Sequence, residues 1–518
     1  MHLRSRILIL LCCALVAAFL RADTYRPNVI VIIVDDLGYA DMAFLPQSPD
    51  DVRSYGTPGF DTLASTGMYF ENAYSTSPIC SPSRAGLITG RYQQRWGNYW
   101  YNEGGLPAEE LTIPEVLSAH GYVTAKIGKT HLNGGPKEFP TEHGFDSYLG
   151  FVHHTWDYIR LSQKDVDAYR SRDAFQGFGA QIIGPLVSAK GQGTRRFQAE
   201  KVSYENGFTT EIFTDEAVQF IESDKGEKPF YLHIAYNAVH HPTYVVSEKW
   251  AKVTGARYVP WDRHAEQWEY PYWEPEKETN RAFHKKWGHM GEIDVDGRRC
   301  YLANLLALDD GIQRILRSLE ESGQRDNTAI FFVSDNGGTI NTYANNTPLS
   351  GYKYMFGEGG IRIPMIVSYP EAVSSGVNES SIVSTMDLFP TIMDWAGIAI
   401  PENLDGKSLL KVLDAGEGEH HEYIAWAQNR DKWVIRRGKW KLTHNAKWYH
   451  RDFKILDNGD VVDNGSITYP DGVQLLDLVN DIGESTNVAQ LYPEVVEDLL
   501  KLQERWASEM SDPVKMKR

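Results

Sequence analysis

Cysteine is scarce in this chain. The 518 residues include four cysteines, and Cys12 and Cys13 lie in an apolar N-terminal segment, which leaves Cys80 and Cys300 for the rest of the protein. A fold that depends on disulfides carries many more cysteines than this, so a disulfide-rich scaffold is excluded. The count alone allows a Cys80–Cys300 bridge, but we expect none, because Cys80 begins the motif described below.

Positive charge is also in short supply. Lysine and arginine together number 52 against 69 aspartates and glutamates, which gives a formal net charge of −17. A surface of that sign repels nucleic acid and anionic membranes, so we expect neither as a partner. An anionic ligand would have to be attracted by a pocket that is locally positive.

Long apolar runs are missing from the sequence except near its start. His2, Arg4 and Arg6 precede the apolar run 7–20, which is too short for a comfortable membrane span. This pattern predicts a signal peptide at residues 1–22, with an uncleaved anchor as the alternative. No second apolar run follows, so we predict an exported protein, periplasmic or secreted, without a stable membrane span.

The sequence does contain short apolar strands that alternate with helical segments. Its length of 518 residues is too great for one simple domain. The alternation predicts an α/β fold over residues 23–415, with a large mixed, mostly parallel sheet sandwiched by helices. Shorter strands after about Pro401 predict a smaller C-terminal α+β domain with an antiparallel sheet over residues 416–518.

Two of the predicted strands, Asn28–Val34 and Ala329–Val333, end in oxygen-bearing side chains. Those side chains belong to Asp35, Asp36, Asp335 and Asn336. Adjacent buried carboxylates repel each other and lose solvation unless a cation lies between them. Calcium and magnesium prefer such oxygen ligands, so the pattern predicts a site for a hard cation. The simpler alternative for an Asp-Asp pair is a solvated turn.

Further polar residues lie next to other predicted strands. They are Lys129 and His131 after Tyr122–Ile127, His240 and His241 after Phe230–Ala235, and Lys353 before Met365–Ser368. Ligands of open α/β sheets bind at the carboxyl ends of the strands, so we predict one composite site at that edge. A lone histidine in such a loop is more often structural than catalytic, which is the alternative for this pair.

The stretch 80–92 reads Cys-Ser-Pro-Ser-Arg-Ala-Gly-Leu-Ile-Thr-Gly-Arg-Tyr. Ser81 suits a helix N-cap and Gly90 a helix stop, which predicts a short helix between them. Cys80 would then lie at the positive end of a helix dipole with Arg84 one turn in, a position that favours a thiolate or a bound anion. The simpler alternative is a buried cysteine at a helix start.

The pattern Cys-x-Pro-Ser-Arg followed by Thr-Gly-Arg resembles the signature of the type I sulfatases. In this family of the alkaline-phosphatase superfamily, the cysteine is oxidised after translation to Cα-formylglycine. The resemblance runs from about Asn28 to the C-terminal region, where LLDLVNDIGESTNVA is similar to the family's closing segment. The chain departs from the family at Thr130, where tryptophan is commoner, and at Ile482, where proline is commoner. Neither departure removes a proton-transfer group.

The resemblance implies a role for each candidate residue. One calcium ion would be held by Asp35, Asp36, Asp335, Asn336 and the modified Cys80. The formylglycine hydrate at Cys80 would be the nucleophile. The groups that hold or deprotonate it would be Arg84, Lys129 and His131. His240 would protonate the leaving alcohol, and Lys353 would bind the sulfate. The substrate contacts we predict are His153, His154, His241 and Arg362.

The implied activity is hydrolysis of sulfate esters by an enzyme that depends on a formylglycine-generating maturation enzyme. The tryptophan-rich insertion 250–299 suggests a sulfated carbohydrate substrate, such as an oligosaccharide derived from a polysaccharide, because aromatic rings stack on sugars. The same tryptophans could equally cap a loop onto the body. Two alternatives remain open, a phosphodiesterase or phosphonate hydrolase of the same superfamily and a catalytically silent protein that binds sulfated glycans.

Overall fold

The computed structural model describes residues 26–152, 158, 185–202, 204, 207–241, 243–258, 295–415, 418–446, 449–455, 461–468 and 472–515. The predicted signal peptide 1–22, His153, His154 and every tryptophan of the 250–299 insertion except Trp250 lie outside these residues. What the sequence predicts for them therefore stays a prediction.

The strands of the described residues are β1 (Asn28–Val34), β2 (Met68–Phe70), β3 (Ala73–Tyr74), β4 (Val123–Lys129), β5 (Ser147–Phe151), β6 (Leu186–Lys190), β7 (Glu200–Val202), β8 (Phe230–Ala235), β9 (Thr328–Ser334), β10 (Met365–Ser368), β11 (Gly376–Asn378), β12 (Val383–Ser384), β13 (Ile424–Ala427), β14 (Trp433–Arg437), β15 (Trp440–His444), β16 (Tyr449–Ile455), β17 (Val461–Thr468) and β18 (Val473–Asp477). The α-helices are α1 (Asp50–Tyr55), α2 (Pro58–Ser65), α3 (Cys80–Thr89), α4 (Ile113–Ala119), α5 (Thr209–Glu222), α6 (Glu248–Thr254), α7 (Val295–Glu321), α8 (Glu358–Ile361), α9 (Leu388–Trp395), α10 (Leu410–Ala415) and α11 (Pro493–Ser508).

Strand β1 lies near the middle of a ten-stranded sheet, whose order is β11-β2-β10-β9-β1-β8-β4-β5-β6-β7. The five neighbouring strands from β9 to β5 are all parallel. Strand β10 pairs antiparallel with β9, and β6 pairs antiparallel with β5. The predicted large, mixed, mostly parallel sheet is thus confirmed.

The continuous apolar sequence of β1 explains its central position, because helices cover both faces of the sheet. Ile30 and Ile32 pack into a core shared with α2, α5 and α7. Val29, Val31 and Ile33 point the other way, into a core shared with α3, α4 and α9. Alternate side chains of one strand therefore serve two separate cores, as a sheet sandwiched by helices requires.

The boundaries of the elements differ from the predicted ones mostly by a residue or two. The apolar period of residues 301–322 predicts a helix there, and the larger difference is that the observed helix, α7, begins at Val295. The predicted N-cap of α3 is wrong, because Cys80 is the first helical residue and Ile79 precedes it in an extended conformation. Gly90 ends this helix in the left-handed region with φ 65°, as predicted.

A separate antiparallel sheet of order β13-β14-β15-β18 forms the C-terminal unit. Helix α11 covers it with Leu499 and Trp506, which share a core with Ile435 and Leu475. Strands β16 and β17 pair with each other. The predicted C-terminal α+β unit is confirmed, while its boundary at 415/416 and the one at 22/23 stay predictions.

Cys80 and Cys300 are both buried and form no disulfide, in agreement with the expectation drawn from the motif at Cys80. Within the part of the chain that the structure describes, no helix combines the length and the apolar character needed to cross a bilayer.

Buried charges join the two units. Lys441 on β15 places its ammonium 2.9 Å from Glu358 Oε1, at the start of α8, and 2.6 Å from Glu484 Oε1. Glu484 Oε2 also accepts the backbone N–H of Glu358 at 2.7 Å. All three side chains are fully buried, and Lys441 bridges two carboxylates from different parts of the chain.

We predict that Lys441→Met lowers the free energy of unfolding by about 3–5 kcal/mol, because it removes the ion-pair partner of buried Glu484 and leaves Glu358 with only the more distant Arg362 and Arg436, each at 3.7 Å. Unfolding in urea, followed by circular dichroism, measures the loss. The matched control is Lys439→Met, since Lys439 lies 2.6 Å from Asp477 but is partly exposed, and its pair should contribute less than about 1 kcal/mol. Equal losses in the two variants would contradict the assigned role of Lys441.

Candidate active site

The predicted oxygen ligands meet at the carboxyl edge of the large sheet, because β1 and β9 are adjacent and parallel. Asp35 and Asp36 follow β1, and Asp335 and Asn336 follow β9. The backbone N–H of Asp36 donates to Asp335 Oδ1 at 3.3 Å, which joins the two strand ends directly. Asp36 has a positive φ of 61°, so the chain turns sharply at this point.

Helix α3 brings its first residue, Cys80, to these carboxylates. The thiol lies 3.5 Å from Asp35 Oδ1 and is buried. Burial and the neighbouring charge of Asp335 raise the pKa of Cys80 well above its usual value. The expectation that this position favours a thiolate is therefore wrong, because the helix dipole is outweighed by desolvation and by two nearby carboxylates.

Each of the three carboxylates has a buried cationic partner. Lys129 Nζ contacts Asp35 Oδ2. Lys353 Nζ lies 2.7 Å from Asp36 Oδ1. Arg84 donates through Nε to Asp335 Oδ2 at 2.9 Å. The predicted residues Arg84, Lys129 and Lys353 thus converge on one buried cluster together with Cys80.

The cations act unequally on the carboxylates of Asp35 and Asp335. Burial alone would raise the pKa of Asp35, but Lys129, His240 and Arg84 together hold it well below its usual value. Burial and the negative charge of Asp35 instead raise the pKa of Asp335, against the opposing effect of Arg84. The crowding of carboxylates is therefore only partly relieved by the protein's own cations.

His240 lies beside this cluster, with Nε2 3.6 Å from Asp36 Oδ2. Its Nδ1 lies 2.7 Å from the His241 carbonyl oxygen, which can only accept a hydrogen bond, so Nδ1 carries the proton. Burial and the positive charge of Lys353 lower the pKa of His240 to about 4. Nε2 is therefore the nitrogen that faces the cluster, and it is unprotonated at neutral pH.

The cluster fits a hard divalent cation. Ligand atoms of Asp35, Asp36, Cys80 and His240 all lie within 4.8 Å of one another. Asn336 Oδ1 is buried and accepts no hydrogen bond from the described residues, while its Nδ2 donates to Asp36 Oδ1 at 2.7 Å. A carbonyl oxygen without a donor, next to crowded carboxylates, is what a calcium or magnesium ion would satisfy.

The structure also places three further predicted site residues, His131, His241 and Arg362. His131 follows β4 in a left-handed conformation with φ 52°, and its backbone N–H donates to the Val152 carbonyl at 2.7 Å. The ring of His241 stacks on that of His240, with centroids 4.5 Å apart. Arg362 donates from Nε to the Glu71 carbonyl at 2.6 Å and lies 3.7 Å from Glu358. These contacts give Arg362 a structural role, and its part in substrate binding stays a prediction.

Sequence reasoning missed Asn346, which holds the loop that carries Lys353. Its Nδ2 donates to the carbonyls of Gly338, Gly351 and Gly359 at distances of 2.9–3.2 Å. Its Oδ1 accepts the backbone N–H of Gly338 at 3.2 Å. An asparagine among glycine-rich turns is the signal that could have pointed to it.

A second missed residue is Tyr158, whose hydroxyl donates to the carbonyl of His240 at 2.7 Å. It is fully buried and so fixes the loop that follows β8. The surrounding sequence shows no pattern that would have singled out this tyrosine.

Models of known protein families identify the family of this chain. A family model described as Sulfatase matches residues 27–398, a range that includes every residue of the cluster. The chain belongs to the sulfatase family. A second model, described as N-sulphoglucosamine sulphohydrolase, C-terminal, matches residues 351–460. This protein is therefore a sulfatase, an enzyme of the alkaline-phosphatase superfamily that hydrolyses sulfate esters.

Individual relatives agree with this assignment. A protein of Escherichia coli (strain K12) named Uncharacterized sulfatase YdeN is 30% identical over 441 residues, which are 79% of this sulfatase and 70% of that protein. The human N-acetylgalactosamine-6-sulfatase is 28% identical over 411 residues, which are 75% of this chain and 66% of the human one. The crystal structure of Ps i-CgsB in complex with k-i-k-neocarrahexaose has a TM-score of 0.72 and 27% identity, with 94% of each chain covered.

We predict that a divalent cation stabilises this sulfatase and that Asn336→Ala removes most of the effect. At a hundredfold excess over its dissociation constant, a ligand bound only by the folded protein contributes about 2.7 kcal/mol. Thermal unfolding after treatment with EDTA, and again with added Ca²⁺ or Mg²⁺, measures the shift. The matched control is Asn378→Ala, because Asn378 is equally buried but bonds to the Ser381 N–H. A cation shift of the same size in Asn336→Ala and wild type would contradict the site.

Proposed function

We propose that this sulfatase releases sulfate from a sulfated carbohydrate, using one calcium ion and a formylglycine formed from Cys80. The observation that carries the proposal is the position of Cys80, whose Sγ lies 3.5 Å from Asp35 Oδ1 within a buried cluster of carboxylates and cations. A nucleophile placed there meets the substrate in a site that excludes water, where charges act strongly.

The charges of the site support binding of a sulfate ester. The carboxylates of Asp35, Asp36 and Asp335 are matched by three cations, those of Arg84, Lys129 and Lys353. A bound divalent cation would add two positive charges and make the site net positive. A locally positive pocket in a chain of net charge −17 is the arrangement that an anionic substrate requires.

The chemistry divides between the modified residue and the side chains around it. When Cys80 is converted to formylglycine, its hydrate supplies a hydroxyl that attacks sulfur and a second hydroxyl whose deprotonation releases the sulfate. Calcium would offset negative charge on the sulfuryl oxygens. Lys353 and Lys129 hold those oxygens, and Arg84 fixes Asp335 as a ligand.

His240 is the group we assign to the leaving alcohol. Its Nδ1–H donates to the His241 carbonyl, which directs Nε2 to the site. Nε2 must gain a proton before it can act as the acid. The negative charge of a bound sulfate ester raises the pKa of His240 and so favours its protonated form. His131 is assigned the opposite transfer, uptake of the proton from the second hydroxyl.

The relatives and the charges of the site support a sulfated carbohydrate as the substrate class. The human relative is named N-acetylgalactosamine-6-sulfatase, and the Ps i-CgsB structure is a complex with k-i-k-neocarrahexaose. We propose an oligosaccharide derived from a sulfated polysaccharide as the substrate of this enzyme. The substrate contacts assigned to His153, His154, His241 and Arg362 belong to the same proposal.

The setting of the enzyme is also proposed. The basic start and apolar run of residues 1–22 support export, to the periplasm or outside the cell. The motif that begins at Cys80 would be the recognition site of a formylglycine-generating maturation enzyme. The mature chain would then divide into a catalytic domain at 23–415 and a C-terminal unit at 416–518.

We predict that Cys80→Ala abolishes sulfate release from protein co-expressed with a formylglycine-generating enzyme, because alanine offers no hydroxyl for attack on sulfur. Ion chromatography of released sulfate measures activity, and circular dichroism checks the fold. Cys300→Ala is the matched control, since Cys300 is also buried but lies in α7. Sulfate release at the wild-type rate by Cys80→Ala would overturn the mechanism.

The substrate assignment is tested with a panel that contains k-i-k-neocarrahexaose, N-acetylgalactosamine 6-sulfate and a phosphonate monoester. We expect sulfate release from at least one sulfated sugar at a rate well above hydrolysis of the phosphonate. Preferred hydrolysis of the phosphonate would instead favour the phosphonate hydrolase.

A further inference from the structure

We propose that Trp100, Tyr101 and Tyr354 form an aromatic platform that binds the sugar ring next to the sulfated one. The inference rests on the proposed function and extends it from the sulfate group to the rest of the substrate. The ring of Trp100 lies between the other two, with centroids 6.3 Å from Tyr101 and 6.3 Å from Tyr354. The platform is thus a continuous aromatic surface and not a set of scattered residues.

The platform begins where the cluster of charges ends. Lys353 is 4% exposed and lies 2.7 Å from Asp36 Oδ1, whereas the next residue, Tyr354, is 52% exposed. The ammonium of Lys353 lies 5.5 Å from the centroid of the Tyr354 ring. A substrate whose sulfate reaches Lys353 therefore has its neighbouring groups beside this tyrosine.

Tyr354 is held in its exposed position by the backbone. Its φ of 72° is unfavourable for any residue other than glycine, so the conformation persists only because the surroundings impose it. Its N–H donates to the carbonyl of Pro78 at 2.8 Å, two residues before Cys80. Such strain is typical of residues placed for binding.

The loop that carries the other two aromatic residues is fixed to the segment that follows β4. Asn133 Nδ2 donates to the carbonyl of Trp100 at 2.8 Å and to the carbonyl of Glu103 at 3.1 Å. Asn133 lies in the loop after β4 that also contains His131. The aromatic loop and the predicted proton acceptor are therefore positioned by one segment.

The end of the chain fixes the same loop from behind. Tyr99 is buried and donates its hydroxyl to the carbonyl of Ser511 at 2.8 Å. Val514 donates its N–H to Gly97 at 3.0 Å and accepts the N–H of Gly104 at 2.7 Å. A loop held at both ends presents its aromatic rings with little loss of conformational entropy on binding.

The chemistry of the platform matches a carbohydrate. Tyr101 is 55% exposed, so two tyrosines present both an apolar ring and a hydroxyl at the rim of an anion-binding site. An apolar surface with hydrogen-bonding edges fits the faces of a sugar ring, and the adjacent cations fit a sulfate on the next ring. One sulfated oligosaccharide satisfies both halves of this surface.

The test compares two substrates in one set of variants. Tyr101→Ala should lower kcat/KM for a sulfated oligosaccharide about tenfold more than for the sulfated monosaccharide at its reactive end, because only the longer substrate reaches the platform. The effect should appear in KM, and Tyr101→Phe should restore most of it. Trp100→Ala should shift the same ratio in the same direction.

The matched control is Phe197→Ala. Phe197 is 79% exposed and lies between β6 and β7. Strand β6 ends at Lys190, which pairs with Ser147, the first residue of β5. Phe197 therefore follows the amino ends of the parallel strands, whereas the site lies at their carboxyl ends. The ratio of the two kcat/KM values should match wild type in this variant. If Tyr101→Ala left the ratio of the two kcat/KM values unchanged, because both substrates were affected equally or not at all, the platform would be overturned.

A binding measurement separates this inference from the proposed function. Calorimetric titration of the Cys80→Ala protein with the same sulfated oligosaccharide needs no turnover. Adding Tyr101→Ala to this protein should raise the dissociation constant about tenfold. Binding that depends on Tyr101 without sulfate release in the wild type would sink the proposed chemistry and keep the platform. Binding that does not depend on Tyr101 would sink the platform.

Discussion

The compensation of three buried carboxylates by three buried cations is the constraint on which this sulfatase is built. Asp35 and Asp335 lie at adjacent strand ends, where neither could be buried without a counter-charge. The cations come from three different elements, Arg84 from α3, Lys129 from the end of β4 and Lys353 from the loop before α8. The site therefore forms only when all three elements are packed on the sheet, which couples its assembly to the fold.

The C-terminal unit takes part in this assembly although it supplies no residue of the cluster. Lys441 binds Glu358, which begins the helix just beyond the Lys353 loop. Ser511, near the end of the chain, holds the loop of Tyr99 and Trp100. The C-terminal unit thus anchors Glu358 from 83 positions away in the chain and Tyr99 from 412 positions away.

Sequence patterns predicted the structure best where a single local property decides the conformation. The unbroken β-branched run of β1 can be buried only at the centre of a parallel sheet, and its bounds were predicted correctly. The thiolate expected at Cys80 failed because a helix dipole is a local effect, whereas the burial and the carboxylates that raise this pKa come from distant segments. The platform escaped notice for a similar reason, since Trp100 and Tyr354 are far apart in sequence and meet only in the folded protein.

The sequence by itself determined the fold class and showed which strands have polar residues next to their ends. Through the motif at Cys80 it also determined the family. These properties depend on neighbours along the chain, where hydrophobic period and residue spacing act directly. Tertiary structure alone decided which cation faces which carboxylate, that Asn336 Oδ1 is buried without a hydrogen-bond donor among the described residues, and that Arg362 lies near Glu358. Such pairings depend on distances between segments, and the electrostatic and packing energies that select them exist only once those segments are in contact.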